Sequence, residues 1–317
     1  MSRRRRAAGA AVGLVLDRLV GEPPARAHPV AAFGAGLARA EGRWYGDDRG
    51  RGALYVAVGV GVAASAGAAV PSTALWTWLA VAGRQLAREA EAVSDALSRG
   101  DIELARSRLP ALVGRDVSLL DEKEIARAVV ESVAENTVDA VVAPVFWALV
   151  AGAPAVCAYR AVNTLDAMVG HRSPRYERFG WASARADDVA AWAPARATAV
   201  LVAAVRPRRA ADVWRVVRRD ASAHPSPNAG VAEAAFAAAL GLRLGGENRY
   251  GHRVELLPTL GDGRPAEASD IARAVRLSRD VTYALAAAFA TPSFWRLSPT
   301  HRSARAARSA LRTGRAG

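Results

Sequence analysis

Uncharged runs of membrane length alternate with polar segments along this chain. From Gly52 through Gly83 no residue is charged, which exceeds one crossing of a hydrocarbon core needing about 20 residues per helix. Pro71, Ser72 and Thr73 divide the run. The pattern therefore predicts a tight hairpin of two helices, 53–70 and 72–88, the second opening on proline and hydroxyl residues as helices do. Gly59, Gly61, Ala64, Gly67 and Ala68 suit close helix packing in lipid. A buried hairpin of a soluble protein is the alternative, but soluble helices seldom run so far without a polar face.

A second uncharged run covers Ala140 to Tyr159, a third, 189–205, is interrupted only by Arg196, and a shorter stretch, 281–295, carries Pro292. If the second run crosses once, the polar segments on either side of it face opposite sides of the bilayer and cannot build one site. Pro144, Gly152 and Pro154 predict instead two half-helices forming a re-entrant hairpin, tolerable where protein surrounds it. At the amino end, Ala7 to Leu16 behind four arginines resembles a signal peptide, and Ala25, Arg26 and Ala27 offer a small-x-small cleavage pattern. The apolar stretch is brief, Asp17 and Arg18 follow at once, and Pro23 and Pro24 break what comes next, so a retained membrane-associated helix is predicted.

The polar segments are 84–138, 160–188 and 206–280. In the first, Ser118 or Asp121 can cap a helix whose acidic first turn opposes the macrodipole. Ile125, Val129 and Val133 recur on one side of it, and Glu124, Arg127, Glu131 and Glu135 on the other. Such a stripe can be a solvated face with an internal ion pair. However, Asn136 and Thr137 break the apolar side, and Asp139 stands at the mouth of the next span, where an ionisable residue is costly and usually functional. With helical geometry maintained, Glu131, Glu135 and Asp139 project together, which suits a hard cation such as Mg²⁺ bridging to phosphate oxygens.

In the second segment, Asn163 and Asp166 are neighbours on a helix, preceded by Arg160. A turn-like stretch then gathers His171, Arg172, Arg175, Tyr176, Arg178 and Trp181. This is either a cradle for a phosphate or carboxylate-rich ligand or an interfacial belt at the headgroups. Asp187 and Asp188 before the next span ligate a cation or cap the helix. In the third segment, His224, Ser226 and Asn228 alternate with Pro225 and Pro227, a rigid presentation of polar side chains that serves a turn or a site equally well.

Composition changes the picture in two ways. The chain has 317 residues, 51% of them apolar, and one cysteine, which excludes a disordered chain or a disulfide-stapled mini-protein. Lys and Arg number 43 against 30 Asp and Glu, with Lys123 the only lysine. Much of the excess sits in Arg3 to Arg6 and in Arg302, Arg305, Arg308, Arg312 and Arg315. A nucleic-acid binder would interleave aromatics with such residues, and the tail has none. Basic residues flanking apolar spans instead point to a cell-membrane protein with both ends cytoplasmic. No G-x-x-x-x-G-K-[ST] loop, H-E-x-x-H, G-x-S-x-G or paired C-x-x-C is present. Any nucleotide would be held by Mg²⁺, arginine and backbone amides. The expected architecture is all-α: a polytopic helical membrane protein, one integral membrane domain over 1–317 with four to six inserted segments and a helical polar segment at 206–280.

GRDVSLLDEKEIARAVVESVAENTVDAVVAPVFWALVAGAPAVCAYRAVNTLDAMVGHRSPRYERFGWASARADDVAAWAPAR resembles the adenosylcobinamide-phosphate synthase family of cobalamin biosynthesis. The likeness extends to DRLVGEPPARAHPV, HPSPNAG, EAAFAAALGLRLGG and LGDG, covering all but the arginine-rich ends. It implies an ATP- and Mg²⁺-dependent acid–amine ligase at the inner membrane surface, joining adenosylcobyric acid to (R)-1-amino-2-propanol or its O-phosphate. Carried onto this chain, Glu131, Glu135, Asp139 and Asp166 would hold Mg²⁺. Arg115, Arg172 and Arg175 would steady phosphates, and Asn136, Asn163, His171, Tyr176, Trp181 and Asn228 would help bind substrate. Catalytic roles would fall to Glu124, Glu135 and His224, with Glu124 or His224 taking the amine proton. Corrinoid and amino-alcohol substrates, membrane lipid and other corrinoid-pathway enzymes are the implied partners, and nucleic acid is not. A corrinoid-binding carrier or assembly platform that makes no bond is the alternative.

Overall fold

The computed structural model describes residues 1–171, 173–250 and 253–290. Arg172, Pro292 and the C-terminal arginines lie outside the described residues. The amino end forms α1 (Arg3–Leu19) and α2 (Pro29–Trp44), started by the Ser2 hydroxyl and by His28 Nδ1, which accepts the Val30 N–H at 3.2 Å. The first uncharged run gives α3 (Arg49–Ala69), capped by Asp48.

The second arm of the expected hairpin is shorter than the 72–88 read from sequence. α4 (Thr73–Ala80) stops, and a new amphipathic helix, α5 (Gly83–Ser98), begins. Two outside partners account for the break: Ala82 N–H donates to Ala140 O at 2.9 Å, and Arg84 N–H to the buried Asp17 carboxylate at 3.1 Å. Next come α6 (Ile102–Arg108) and α7 (Glu122–Thr137). α7 passes through a π turn, Val138–Val142, into α8 (Ala143–Ala151).

At Gly152 the backbone takes φ +77°, open to glycine and strained for other residues, and the chain reverses into α9 (Ala153–Leu165). The second uncharged run is therefore two helices turned about Gly152. Its ends return to each other: Asn163 Nδ2 donates to Asp139 Oδ2 at 3.3 Å, and the Tyr159 hydroxyl to Asp139 O at 3.2 Å. The polar segments before and after the run thereby share one end of the hairpin. At its closed end Arg6 Nη1 donates to Val150 O at 2.6 Å. The hairpin is about 20 Å deep at 1.5 Å per residue. It thus separates two features that the sequence placed together at the inner surface, the arginine-rich start and the carboxylates.

A second π turn, Asp166–Gly170, leads through the 171–180 stretch to α10 (Trp181–Val205). Beyond it lie α11 (Ala210–Asp220) and α12 (Ala229–Leu240), the latter buried on every side. The 206–280 segment is not purely helical. Leu242–Tyr250 (β1) and Arg253–Leu260 (β2) pair antiparallel, with Arg264–Pro265 (β3) parallel on the other edge of β1, before α13 (Ala268–Ala290). The period-two burial of Leu242 and Leu244 around exposed Arg243 is what makes β1 a strand.

The main core joins α5, α7, α12 and α13. A smaller one, Leu37, Tyr55, Val56, Leu165, Val169 and Phe179, ties α2 and α3 to the second π turn. The protein is a helical membrane protein. Arg49–Ala69, Glu122–Ala151 and Trp181–Val205 are long and apolar enough to cross a bilayer. α12 is apolar too, but at 12 residues it is short and sheathed in protein.

A Cβ on Gly52 would overlap the carbonyl of Phe179, whose carbon would lie only 2.8 Å away. Gly52→Ala is expected to cost about 1–3 kcal/mol through overpacking. Gly61→Ala meets nothing within 4 Å and should be neutral or stabilising. Thermal unfolding of the detergent-solubilised pair checks this, and equal midpoints would refute it.

Candidate functional site

The carboxylates spaced four apart in α7 would form one stack if α geometry continued, but the π turn starting at Val138 divides them. Asp139 turns toward α9 and α10, Glu131 toward β1, and Glu135 lies between. Asp139 accepts from Asn163 and is acted on electrostatically by Asp187 most strongly, then by Glu135 and Asp166. Asn163 also accepts from Arg160 Nη1 at 3.2 Å. Asp187 keeps one buried oxygen, Oδ1, without a hydrogen-bond partner.

Asp166 sits in the second π turn. A Cβ at Gly170 would strike its Oδ1 and lie 3.4 Å from Ala184 N, so glycine lets this turn close on α10. Burial pushes the Asp166 carboxyl up to about 6, with the charge of Asp188 adding to the rise. Single π turns inside helices are frequent at functional sites. Here each carries one aspartate of an acidic well built from α7, α9 and α10.

A cleft of about 1140 Å³ opens beside the well, with Asp188 and Gly170 in its wall. Its rim brings the second and third polar segments together: His171, Tyr176 and Trp181 face His224, Pro225 and Pro227. His171 meets Tyr176 edge-to-face at 5.0 Å, and the Arg49 guanidinium stands 5.4 Å from the Trp181 ring. A smaller chamber of about 260 Å³ lies on the other side of His224 and Pro225, which line both spaces. Glu131, Glu135, Arg115, Glu233 and Asn248 line this chamber.

Several residues singled out from sequence are engaged structurally. Glu124 completes a capping box with Asp121, its Oε2 accepting the Asp121 N–H at 2.9 Å, which commits the carboxylate proposed as a proton acceptor. Glu131 is held by both terminal nitrogens of Arg115 at 3.2 Å, by Gly245 N–H at 2.9 Å and by Arg127 at 3.6 Å. It anchors β1, and its lone pairs are used in doing so. Arg115, bonded also to Asn248, is that anchor's cation and not a free phosphate ligand. Arg175 lies over Tyr45 and bonds Glu41 at 2.9 Å, and the Tyr176 hydroxyl donates to the same carboxylate at 2.9 Å. Asn228 donates to Asp188 O at 2.8 Å and accepts from Arg196, tying the His-Pro loop to α10. Asn136 donates back to Ser132 O at 3.0 Å.

His224 Nδ1 lies 3.1 Å from both the amide nitrogen and the carbonyl oxygen of Ser226; with Nδ1–H donating to the carbonyl, Nε2 keeps its lone pair, and burial lowers the imidazole below its ordinary value. Below the unfolded value near 6.5 the unfolded chain takes up this proton before the folded one does. Stability from His224 is therefore complete above that value and falls as the pH drops through it. Moving from about pH 7.5 to about pH 5.5 should destabilise the wild type more than His224→Gln, read by thermal unfolding. An equal drop in both would contradict the sign.

Some residues were missed. Glu233 is the one charge in α12, a signal legible as a carboxylate inside an alanine-rich helix. Glu22 and His28, 3.8 Å apart, reach the electrostatic field of Arg160 from the DRLVGEPPARAHPV stretch. Neither carried a spacing rule. Among the described residues no group of three His, Cys, Asp or Glu forms a ready-made metal cage.

Comparison with known proteins adds a family. A family model described as CobD/Cbib protein matches residues 10–278. The chain is 50% identical over 310 residues to a protein named Cobalamin biosynthesis protein CobD of Mycobacterium tuberculosis (strain ATCC 25618 / H37Rv), covering 93% of this chain and 97% of that one. Proteins of the same name from Geobacter metallireducens and Chromobacterium violaceum are 42% and 44% identical, over 85% and 84% of this chain and 92% and 90% of theirs. No solved structure matches.

Proposed function

The chain belongs to the CobD/Cbib family, and on that footing we propose that it serves cobalamin biosynthesis as an acid–amine ligase, joining adenosylcobyric acid to (R)-1-amino-2-propanol or its O-phosphate. The observation that supports this reading is the convergence of Asp139, Asp166 and Asp187 from three separate stretches, beside a cleft large enough for a bulky acid.

A carboxylate does not condense with an amine at neutral pH, because oxide would have to leave. Activation answers that need: a propionate oxygen attacks the γ-phosphorus of ATP, ADP departs, the amine nitrogen attacks the acyl carbon, and inorganic phosphate leaves with the amine's proton passing to a base. Bound Mg²⁺ would neutralise phosphate charge. The all-oxygen donors of the well suit it, and the partnerless Oδ1 of Asp187 gives it a place. With no three-residue cage, the ion would be shared between one or two of these aspartates and the nucleotide, the usual habit of Mg²⁺.

The chain's own residues position and exclude. Trp181 and His171 line the cleft where the acid substrate would enter, and Asn163 orients Asp139. His224, uncharged at neutral pH and between the two spaces, is placed to take the amine proton. We put the open cleft on the cytoplasmic side because the nucleotide is there. Incubating detergent-purified protein with adenosylcobyric acid, aminopropanol phosphate, ATP and Mg²⁺ should give the amide by mass. Corrinoid binding without amide would favour the carrier reading.

A further inference from the structure

The chamber behind His224 holds a carboxylate that the reaction described above does not use. Glu233 is 5% exposed, its Oε2 has no hydrogen-bond partner, and its Oε1 lies 3.9 Å from His224 Nε2. Of the three other chamber carboxylates, Glu131 is neutralised by Arg115 and Arg127, Glu255 lies within electrostatic reach of His224, and Glu135 opens onto the cavity within electrostatic reach of both Glu233 and the well. A buried carboxylate without a partner is costly. Here it is aimed into a space of about 260 Å³, room for a ligand of a few heavy atoms.

Resting on the ligase reading, we propose that this chamber is the subsite for the amine substrate, with the primary ammonium held between Glu233 and Glu135. An ammonium brings three donors and one compact positive charge, matching the orphaned Oε2 and the uncompensated charge of Glu135. Position argues the same way. The large cleft on the near side of His224 suits the bulky acid, and the chamber on the far side borders the well through Glu135. The two substrates thus approach the activated carboxyl carbon from opposite sides of one histidine.

Calorimetric titration of the full-length protein in detergent with 1-amino-2-propanol, without nucleotide, tests the subsite directly. The wild type should bind, and Glu233→Gln should weaken binding by about tenfold or more, the loss of one charge-assisted hydrogen bond. Ala229 lines the chamber, so a Cys157→Ala/Ala229→Cys protein should react with a cationic thiosulfonate and be protected by the same amine, a readout independent of Glu233→Gln folding. No amine binding by the wild type, an affinity within about twofold in Glu233→Gln, or protection of the introduced thiol by Mg²⁺ and not by amine would each overturn the proposal. Amine binding through Glu233 with no amide formed would sink the ligase reading and leave the subsite. Amide formation with an unaltered amine KM in Glu233→Gln would do the reverse.

Discussion

Asp187→Asn should lower amide formation by about 10²–10³, the usual cost of removing one preorganised electrostatic group, while leaving the protein as stable as before or more so. The opposed signs follow from the geometry. Asp187 has an oxygen that no protein group satisfies, and it faces Asp166, Glu135 and Asp188, all of its own sign. Removing its charge relieves repulsion in the resting protein and takes away a ligand for the reacting complex. Strain of this kind persists where function requires it. Asp212→Asn, in an exposed arginine pair on α11, should leave turnover unchanged. Product formation by mass together with thermal unfolding measures both signs. A stability loss matching the activity loss would reduce Asp187 to a structural residue.

Arg115→Leu should have the largest effect on folding, about 3–5 kcal/mol, because it strands Glu131 as a buried charge. Both side chains are less than a tenth exposed, and Arg127 at 3.6 Å offsets only part of the loss. The damage should be recovered substantially in Arg115→Leu/Glu131→Leu, where neither charge remains. Denaturant unfolding of the three proteins gives the coupling. If Arg115→Leu retained wild-type stability but lost nucleotide affinity, the arginine would be the phosphate ligand that its sequence setting suggested.

That contrast shows what the chain made legible. The spans could be read because a bilayer imposes a length and an absence of charge, and α3 falls within a few residues of 53–70. The turn at Gly152 was legible through Pro144, Gly152 and Pro154, and the α7 face through its four-residue period. What could not be read was partner choice over long separations. Arg175 is taken by Glu41, 134 residues away, and Arg115 by Asn248, 133 away. Nor do π turns have a sequence signature, so a stack of Glu131, Glu135 and Asp139 was the natural expectation although the backbone sends them three ways. β1 and β2 were hidden by the helix-rich segment around them. The lone charge of α12 was visible but had no motif to mark it.

A single site requires the return of the α8–α9 hairpin, which brings the first and second polar segments to one end of the molecule. Ser118 and Glu177 are exposed positions on those two segments. In a Cys157→Ala background, Ser118→Cys and Glu177→Cys in sealed vesicles can each be challenged with a membrane-impermeant thiol reagent added outside, then after lysis. Both cysteines should label from the same compartment, whichever one it is. Labelling from opposite compartments would mean that Ala140 to Tyr159 crosses once, and no single site could then be assembled.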